Sequence, residues 1–440
     1  MLERIFRLKE NGTAVRTEVL AGFTTFLTMA YIILVNPTIL ADAGMPAAGA
    51  AAATCLAAAF GSICMGLFAN YPIALAPGMG LNAYFTYTVV KGMGLPWETA
   101  LGCVFLSGVA FLLLTVAGVR RLIVGAIPRD LFAAIAAGIG LFIAFIGLRS
   151  AGLVVAHPAT TVALGDLTAP AAALAVFGLA VTAALLAWRV KAAMLIGILA
   201  TTALAWILGL VDFRPAPYNV AELTATAFKL DVPAALGLGG GGLTLALVEI
   251  LFVFLFVDLF DNVGTLVAVS KRAGIVDPET GEIPRLDKVL LTDSAATMVG
   301  AVAGTTTTVS YIESAAGVSA GGRTGLTAVV VGLLFLAAMA FAPFAQAIPP
   351  AATAPALILV GAMMMAPLAG SDWTDPMVAV PGFLTLIAIP LTFSIANGLA
   401  FGIIAHAVLK LARGQARPAD WPVFLLAALF AVRFVWLAAG

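Results

Sequence analysis

GTTTTVSYIESAAG, Gly304 to Gly317, interrupts a chain that is otherwise almost continuously oily. Four consecutive threonines make a poor helix start, because a β-branched side chain loses rotamer freedom there. Just past Ser310 and Tyr311 comes a carboxylate, Glu313, with apolar runs on both sides. The stretch predicts an extended piece that hands over to helix at a buried acid.

The surroundings decide what such a piece is for. Of 440 residues, 62% are hydrophobic and 10% charged, against about 25% charged in soluble domains. Apolar runs long enough to cross a bilayer, about 17–25 residues, recur from end to end. The chain therefore reads as an all-α polytopic membrane protein embedded in lipid. A net charge of zero offers nothing to nucleic acid. Cys55, Cys64 and Cys103 lie in apolar segments and read as small buried residues. Neither His157 nor His406 has a second ligand at metal spacing, so no metal or other cofactor is expected. The charged start and the long apolar run after it do not resemble a cleaved signal.

Fourteen spans fit between Val19 and Leu411, with the third at Pro72–Val90, the eighth at Gly242–Ser270, the ninth at Val289–Ala303 and the tenth at Thr305–Ser319. Trp421–Leu437 is left as an extra span or an interfacial helix. With a cytoplasmic N-terminus, seventeen Lys and Arg, among them Arg120, Arg121 and Arg129, fall inside. Only four, Lys91, Arg149, Arg214 and Lys229, fall outside, as the positive-inside rule requires. Fourteen divides into seven plus seven at the loop LGLGGGG, Leu236 to Gly242, and an odd count inverts the second half. The expected organisation is a cytoplasmic segment 1–18, repeats 19–235 and 236–411, and a C-terminal segment 412–440. AYFTYTVVKGMG (Ala83 to Gly94) over SAAGVSAGGRTG (Ser314 to Gly325) supports the repeat. Inverted repeats of this kind mark secondary transporters, with the substrate at midplane.

Spans three and ten occupy matching positions and are the least helix-like. YPIALAPGMGLNAYF (Tyr71 to Phe85) carries Pro72, Pro77, Gly78 and Gly80, which remove a donor or weaken helix. Each span reads as a short extended strand followed by a half-helix, the two strands pairing antiparallel to satisfy backbone that lipid cannot. Half-helices starting near Gly80 and Tyr311 would aim their positive ends at one cavity. Asn82 and Glu313 would then sit on the first turns. A polar kink that only packs the bundle is the plainer reading, but an intramembrane glutamate is costly to keep without a use.

The eighth span, LVEILFVFLFVDLFDNVGTLVAVSKR, holds Glu249, Asp258 and Asp261. Asp258 and Asp261 are about 60° apart on a helix and can face one cavity, whereas Glu249 projects nearly opposite Asp258. Asp293, near the cytoplasmic start of the ninth span, fits a cap or an intracellular gate, with the structural reading preferred. Asp258, Asp261 and Glu313 in one low-dielectric cavity cannot all hold charge cheaply. A carboxylate that takes a proton on one side and releases it on the other is the chemistry of proton symport. Sodium could use the same oxygen ligands, but the proton is the preferred coupling ion.

GFTTFLTMAYIILVNPTIL (Gly22 to Leu40), APGMGLNAYF (Ala76 to Phe85), FVDLFDNVGTL (Phe256 to Leu266), SYIESAAGVSAGGRTGLTAVV (Ser310 to Val330) and IPLTFSIANGLAFG (Ile389 to Gly402) together carry a family likeness. They resemble the AzgA-like adenine/guanine/hypoxanthine permeases, a branch of the nucleobase–cation symporters related to the nucleobase–ascorbate transporters. The resemblance implies fourteen spans in two intertwined inverted repeats, with a core domain (spans 1–4 and 8–11) and a gate domain (spans 5–7 and 12–14). It further implies proton-driven import of a purine nucleobase across the cytoplasmic (inner) membrane, often by a homodimer. It assigns substrate binding to Glu313 and to an acid of the eighth span, Asp261 fitting better than Asp258 by its spacing to Gly264. Asn82 matches another substrate-linked position. Asn262 departs from the family pattern, which expects threonine there.

A purine suits these residues. Glu313 can accept its ring N–H bonds, and half-helix N–H groups near Gly80 and Ser314 can donate to ring nitrogens or a carbonyl. Phe26, Tyr31, Phe85 and Phe260 are candidate stacking surfaces, although ordinary packing accounts for any one of them. An anion carrier of the same architecture would want Arg or Lys where this chain places acids. A membrane enzyme would need a nucleophile–base pair or metal cluster that the sequence does not offer.

Overall fold

The computed structural model describes residues 2–118, 128–211, 219–238, 242, 244–276 and 283–439. Arg120, Arg121, Arg214, Gly239 to Gly241 and the side chains of Arg129 and Phe260 lie outside the described residues. Chain contacts gather the molecule into two units, Met1–Thr115 with Gly147–Leu357, and Val116–Ile146 with Ile358–Gly440. The first unit contains every element used below to build the candidate site.

Among the described residues, nine helices are long and apolar enough to cross a membrane: Val15–Ala41, Ala47–Ala69, Trp97–Val116, Asp130–Ser150, Pro170–Ala187, Ala246–Ala273, Gly325–Ala345, Pro350–Gly370 and Ile395–Ala412. The architecture of fourteen spans in a seven-plus-seven repeat, with core and gate sets numbered by span, is therefore corrected to an all-α membrane protein with nine such helices. Hydropathy registers apolar runs without regard to helical continuity. Ala193–Ile207 and Pro376–Thr392 are apolar but short. Leu286–Ala303 carries Asp287, Lys288 and Asp293. The third and tenth runs are broken by strands. The last apolar segment forms the helix Trp421–Ala439, where Arg433 donates to the Asn397 Oδ1 at 3.0 Å.

Eight helices build the first unit's centre: α1 (Val15–Met29), α2 (Ile32–Ala41), α3 (Ala47–Cys64), α4 (Met79–Ala83), α5 (Leu245–Ala273), α6 (Leu286–Ala303), α7 (Ser314–Ser319) and α8 (Gly325–Ala338). Four short strands accompany them: β1 (Leu75–Pro77), β2 (Val154–His157), β3 (Thr161–Leu164) and β4 (Thr308–Ser310). β2 and β3 make a largely exposed hairpin. β1 and β4 pair antiparallel in the buried interior, with Leu75 opposite Ser310, Ala76 opposite Val309 and Pro77 opposite Thr308.

A lone two-stranded ribbon is marginal even in water, and here its outer edges face protein rather than further strands. Neighbouring side chains complete them. Leu75 N–H donates to the Ser62 Oγ on α3 at 2.9 Å, and that hydroxyl donates back to the Leu75 carbonyl at 3.2 Å. Thr297 on α6 does the same for Thr308, accepting its N–H at 3.3 Å and donating to its carbonyl at 3.1 Å. Ser310 N–H donates to the Asn262 Oδ1 on α5 at 2.8 Å. Pro77 has no N–H to satisfy, and its carbonyl accepts from the Tyr311 hydroxyl at 2.5 Å.

Close helix contacts hold this frame. A side chain at Gly66 or at Gly325 would collide with the other's carbonyl oxygen, so both backbones need glycine to approach. Asn70, in the left-handed conformation with φ 55°, ends the preceding helical turn and accepts the Gly325 N–H at 2.7 Å.

Thr297→Val keeps the shape and removes the hydroxyl, leaving two strand groups unmet. It is expected to cost about 1–3 kcal/mol, read by thermal or denaturant unfolding of the purified protein. Thr292→Val, whose hydroxyl bonds only within its own helix to Lys288, is the control and is expected to stay near wild type. Equal losses in the two would remove the edge-completing role from Thr297.

Candidate functional site

Glu313 stands immediately before α7, where β4 has just ended. Its carboxylate is half-buried and accepts the Tyr31 hydroxyl at 2.7 Å. Tyr31 is itself buried at the joint between α1 and α2, so the acid is held from outside its own segment. The strand ladder sets its height. Tyr311 N–H donates to the Ala74 carbonyl at 3.0 Å, and Ala74 N–H donates to the Ser314 Oγ at 3.0 Å. The residues flanking Glu313 are thereby tied to the start of β1.

Asp261 reaches the same place from α5. Its Oδ2 lies 3.7 Å from where a side chain on Gly78 would begin, beside the turn from β1 into α4. Asp261, Glu313 and Tyr311 lie close enough to interact electrostatically. Two acids, the Tyr31 hydroxyl and the opening turn of α4 thus converge around the crossing of the broken segments.

Other candidate residues are placed differently. Asp258 is buried and accepts from the Asn262 amide at 2.8 Å. Asn82 is fully buried, donating to the Asn36 Oδ1 at 2.5 Å while its own Oδ1 accepts from the Thr306 hydroxyl. Asn36 extends this chain to the hydroxyls of Thr54 at 2.8 Å and Thr305 at 3.0 Å. Ser314 contributes its hydroxyl to the Ala74 N–H. Gly80 is buried in α4, and Phe85 is buried beyond it. Phe26 packs edge-on against Phe335 with ring centres 5.2 Å apart.

Sequence reasoning missed Glu18, which is completely buried. Its carboxylate accepts N–H groups of Arg323 at 2.8 Å and Thr327 at 3.2 Å, and the Thr327 hydroxyl at 2.6 Å. This stabilises the start of α8, since a helix N-terminus favours negative charge. α1 therefore grips the Glu313 segment at both ends, through Glu18 after α7 and through Tyr31, just beyond its own end, before it. The only sequence signal was an acid at the edge of the first apolar run.

Comparison with known proteins finds relatives along essentially the whole chain. The family whose model matches residues 16–401 is described as "Permease family". A putative permease, MJ0326 of Methanocaldococcus jannaschii, is 48% identical over 438 residues, covering 99% of each chain. The adenine permease AdeP of Escherichia coli K12 is 45% identical, covering 100% of this chain and 97% of its own. The guanine/hypoxanthine permease PbuO of Bacillus subtilis 168 is 42% identical, covering 98% of this chain and 99% of its own. Among solved structures, the transmembrane domain of the cyanobacterial bicarbonate transporter BicA superposes with a TM-score of 0.65 at 16% identity, covering 88% of this chain and 97% of that one. Murine Slc26a9, an anion transporter, superposes with a TM-score of 0.60 at 10% identity, covering 90% of this chain and 68% of that one. At such identities the likeness is one of fold alone.

Asn82→Ala cuts the Asn36–Asn82–Thr306 chain and strands buried acceptors and donors. It is expected to lower stability by about 1–3 kcal/mol, measured by the melting temperature in detergent without any ligand. An unchanged melting temperature would show that the amide does not hold the broken segments together.

Proposed function

The chain belongs to the permease family, and we propose that it is a secondary transporter that imports purine nucleobases across the inner membrane by proton symport. The observation that carries this reading is the pairing of Glu313, held by Tyr31, with Asp261 at the junction of β1, α4 and β4. A purine presents N–H donors along one edge, and a carboxylate oriented by a neighbouring hydroxyl is suited to accept them. Relatives carrying the names adenine permease and guanine/hypoxanthine permease cover essentially the full chain, which supports adenine, guanine or hypoxanthine as cargo.

Asp261 is only half-buried, whereas Asp258 is enclosed and bonded to Asn262. Asp261 is therefore the better placed proton carrier. The cycle we propose begins with Asp261 protonated and the purine bound against Glu313 on the outer side. Alternating access then exposes both to the cytoplasm, where proton and purine leave. A cytoplasmic N-terminus, as the charge distribution favours, and a homodimer, as the family resemblance favours, complete the reading.

Uptake of labelled adenine, guanine and hypoxanthine into proteoliposomes, with and without an inward proton gradient, tests it. Glu313→Gln is expected to weaken purine binding about 10–100-fold, since a hydrogen bond to a charged group is worth about 1.5–3 kcal/mol. Tyr31→Phe is expected to act in the same direction by a smaller factor. Wild-type uptake by folded Glu313→Gln would exclude Glu313 from the site. Purine uptake indifferent to the gradient would keep the cargo and discard the proton.

A further inference from the structure

Tyr87 stands at the far end of the helical stretch that starts beside Asp261. α4 runs straight on into Tyr84–Val90, and the half-buried Tyr87 donates its hydroxyl to the Asp42 Oδ2 at 2.6 Å. The Ser150 side chain hydrogen-bonds the same phenol, and Arg149 is close enough to act on it electrostatically. A phenol has one proton to give, so with Asp42 receiving it the Ser150 hydroxyl is the donor. Lys91 Nζ lies 5.5 Å from the ring centre, within cation–π reach. Asp42 caps the end of α2, at whose start Tyr31 holds Glu313. Lys91 and Arg149 are two of the four basic residues that the charge count places outside. The cluster therefore sits over the outer ends of the two helices that lead from the site.

The partners of Tyr87 are not tied down alike. Asn82 donates to the Asn36 Oδ1 at 2.5 Å, which binds α4 to α2, so Asp42 and Tyr87 move as one body. Ser150 ends the helix Arg129–Ser150, whose middle is committed elsewhere. There a side chain at Gly138 would collide with Ile389, and one at Gly140 with the Gly361 carbonyl. These four residues belong to the second unit, and the chain returns to the first at Gly147. The last turn of that helix thus meets Tyr87 from an element anchored on other residues. Loss of one such hydrogen bond shifts an equilibrium about 2–10-fold, enough to bias a closed state and weak enough to break in every cycle.

We propose that Tyr87 is the outer latch of the transport site: its hydroxyl, held between Asp42 and Ser150, keeps the outer end closed, and opening breaks the Ser150 bond while the Asp42 bond persists. The proposal rests on the reading of the protein as an alternating-access transporter. One of its two tests uses no purine, so an error about the cargo would leave that test intact.

The purine-free test places spin labels on Met93→Cys and Val155→Cys, both beyond the latch and exposed, with Cys55, Cys64 and Cys103 replaced by alanine. Distances between the labels are measured in the purified protein by double electron–electron resonance. Tyr87→Phe and Ser150→Ala are each expected to enlarge the longer-distance population about 2–10-fold. A distribution that neither substitution changes overturns the proposal. The second test bridges introduced cysteines with a bis-methanethiosulfonate reagent long enough to replace the phenol ring, and follows purine uptake into proteoliposomes. Bridging Tyr87→Cys to Ser150→Cys is expected to lower uptake at least about 10-fold, with recovery on reduction, whereas bridging Asp42→Cys to Tyr87→Cys leaves it within about 2-fold of the unbridged variant. Uptake that survives a complete 87–150 bridge, or that is lost equally with both bridges, overturns the proposal. Absence of purine uptake before bridging would count against the cargo, and the label distances would still decide the latch.

Discussion

Backbone that is neither helix nor solvated has to find every one of its hydrogen bonds inside the protein, and the centre of this molecule is arranged around that demand. β1 and β4 satisfy each other along their facing edges. Their outer edges are completed by Ser62, Thr297, Asn262 and the Tyr311 hydroxyl. Ser62, Asn262 and Thr297 come from three different helices, so α3, α5 and α6 must all be in place before the ribbon can exist. Unmet groups in an apolar interior cost about 1–3 kcal/mol, which makes the arrangement cooperative. The ribbon cannot form partly.

That cooperativity is useful because the ribbon is where chemistry can be placed. A continuous helix buries its own polar groups and leaves only side chains to meet a solute. Two interrupted segments open helix starts at the interior and carry acids to them, and the ladder fixes the height of those acids. Glu313 comes three residues after the end of β4, and Gly78, beside Asp261, follows β1 directly. A one-residue slip in register would shift Glu313 relative to Gly78 and turn the strands' own side chains to the opposite face. The pairing of Tyr311 with Ala74 and of Gly78 with Thr307 resists such a slip.

Part of this was legible in the sequence. Threonines at 305–308, prolines at 72 and 77 and an acid at 313 are strong local signals, because each residue type is costly in an apolar helix. The partners that complete the ribbon were not legible. Ser62 and Thr297 sit in helices with other small hydroxylated residues, some of which bond back within their own helix, as Thr292 and Ser294 do. Nothing local separates one kind from the other. Glu18 escaped for a related reason: its role is to receive N–H groups from residues some 305 positions away. The count of spans failed because hydropathy registers apolar content and not helical continuity or length.

Asp258 and Asp261 show how far a single turn of helix can separate two residues of the same type. Both are acids in the same apolar run, and spacing alone lets them share a cavity. The structure gives them different company. Asp258 is bonded to the amide that also completes β4, so its position is bound up with the integrity of the ribbon. Asp261 lies at the glycine turn beside the second acid and is partly open. A group that must change protonation and contacts in each cycle cannot also be a fixed strut, since each change would strain what it supports. The division between a held carboxylate and an accessible one therefore follows from the same demand that built the ribbon, and it is the reason the proton carrier we propose is Asp261 rather than Asp258.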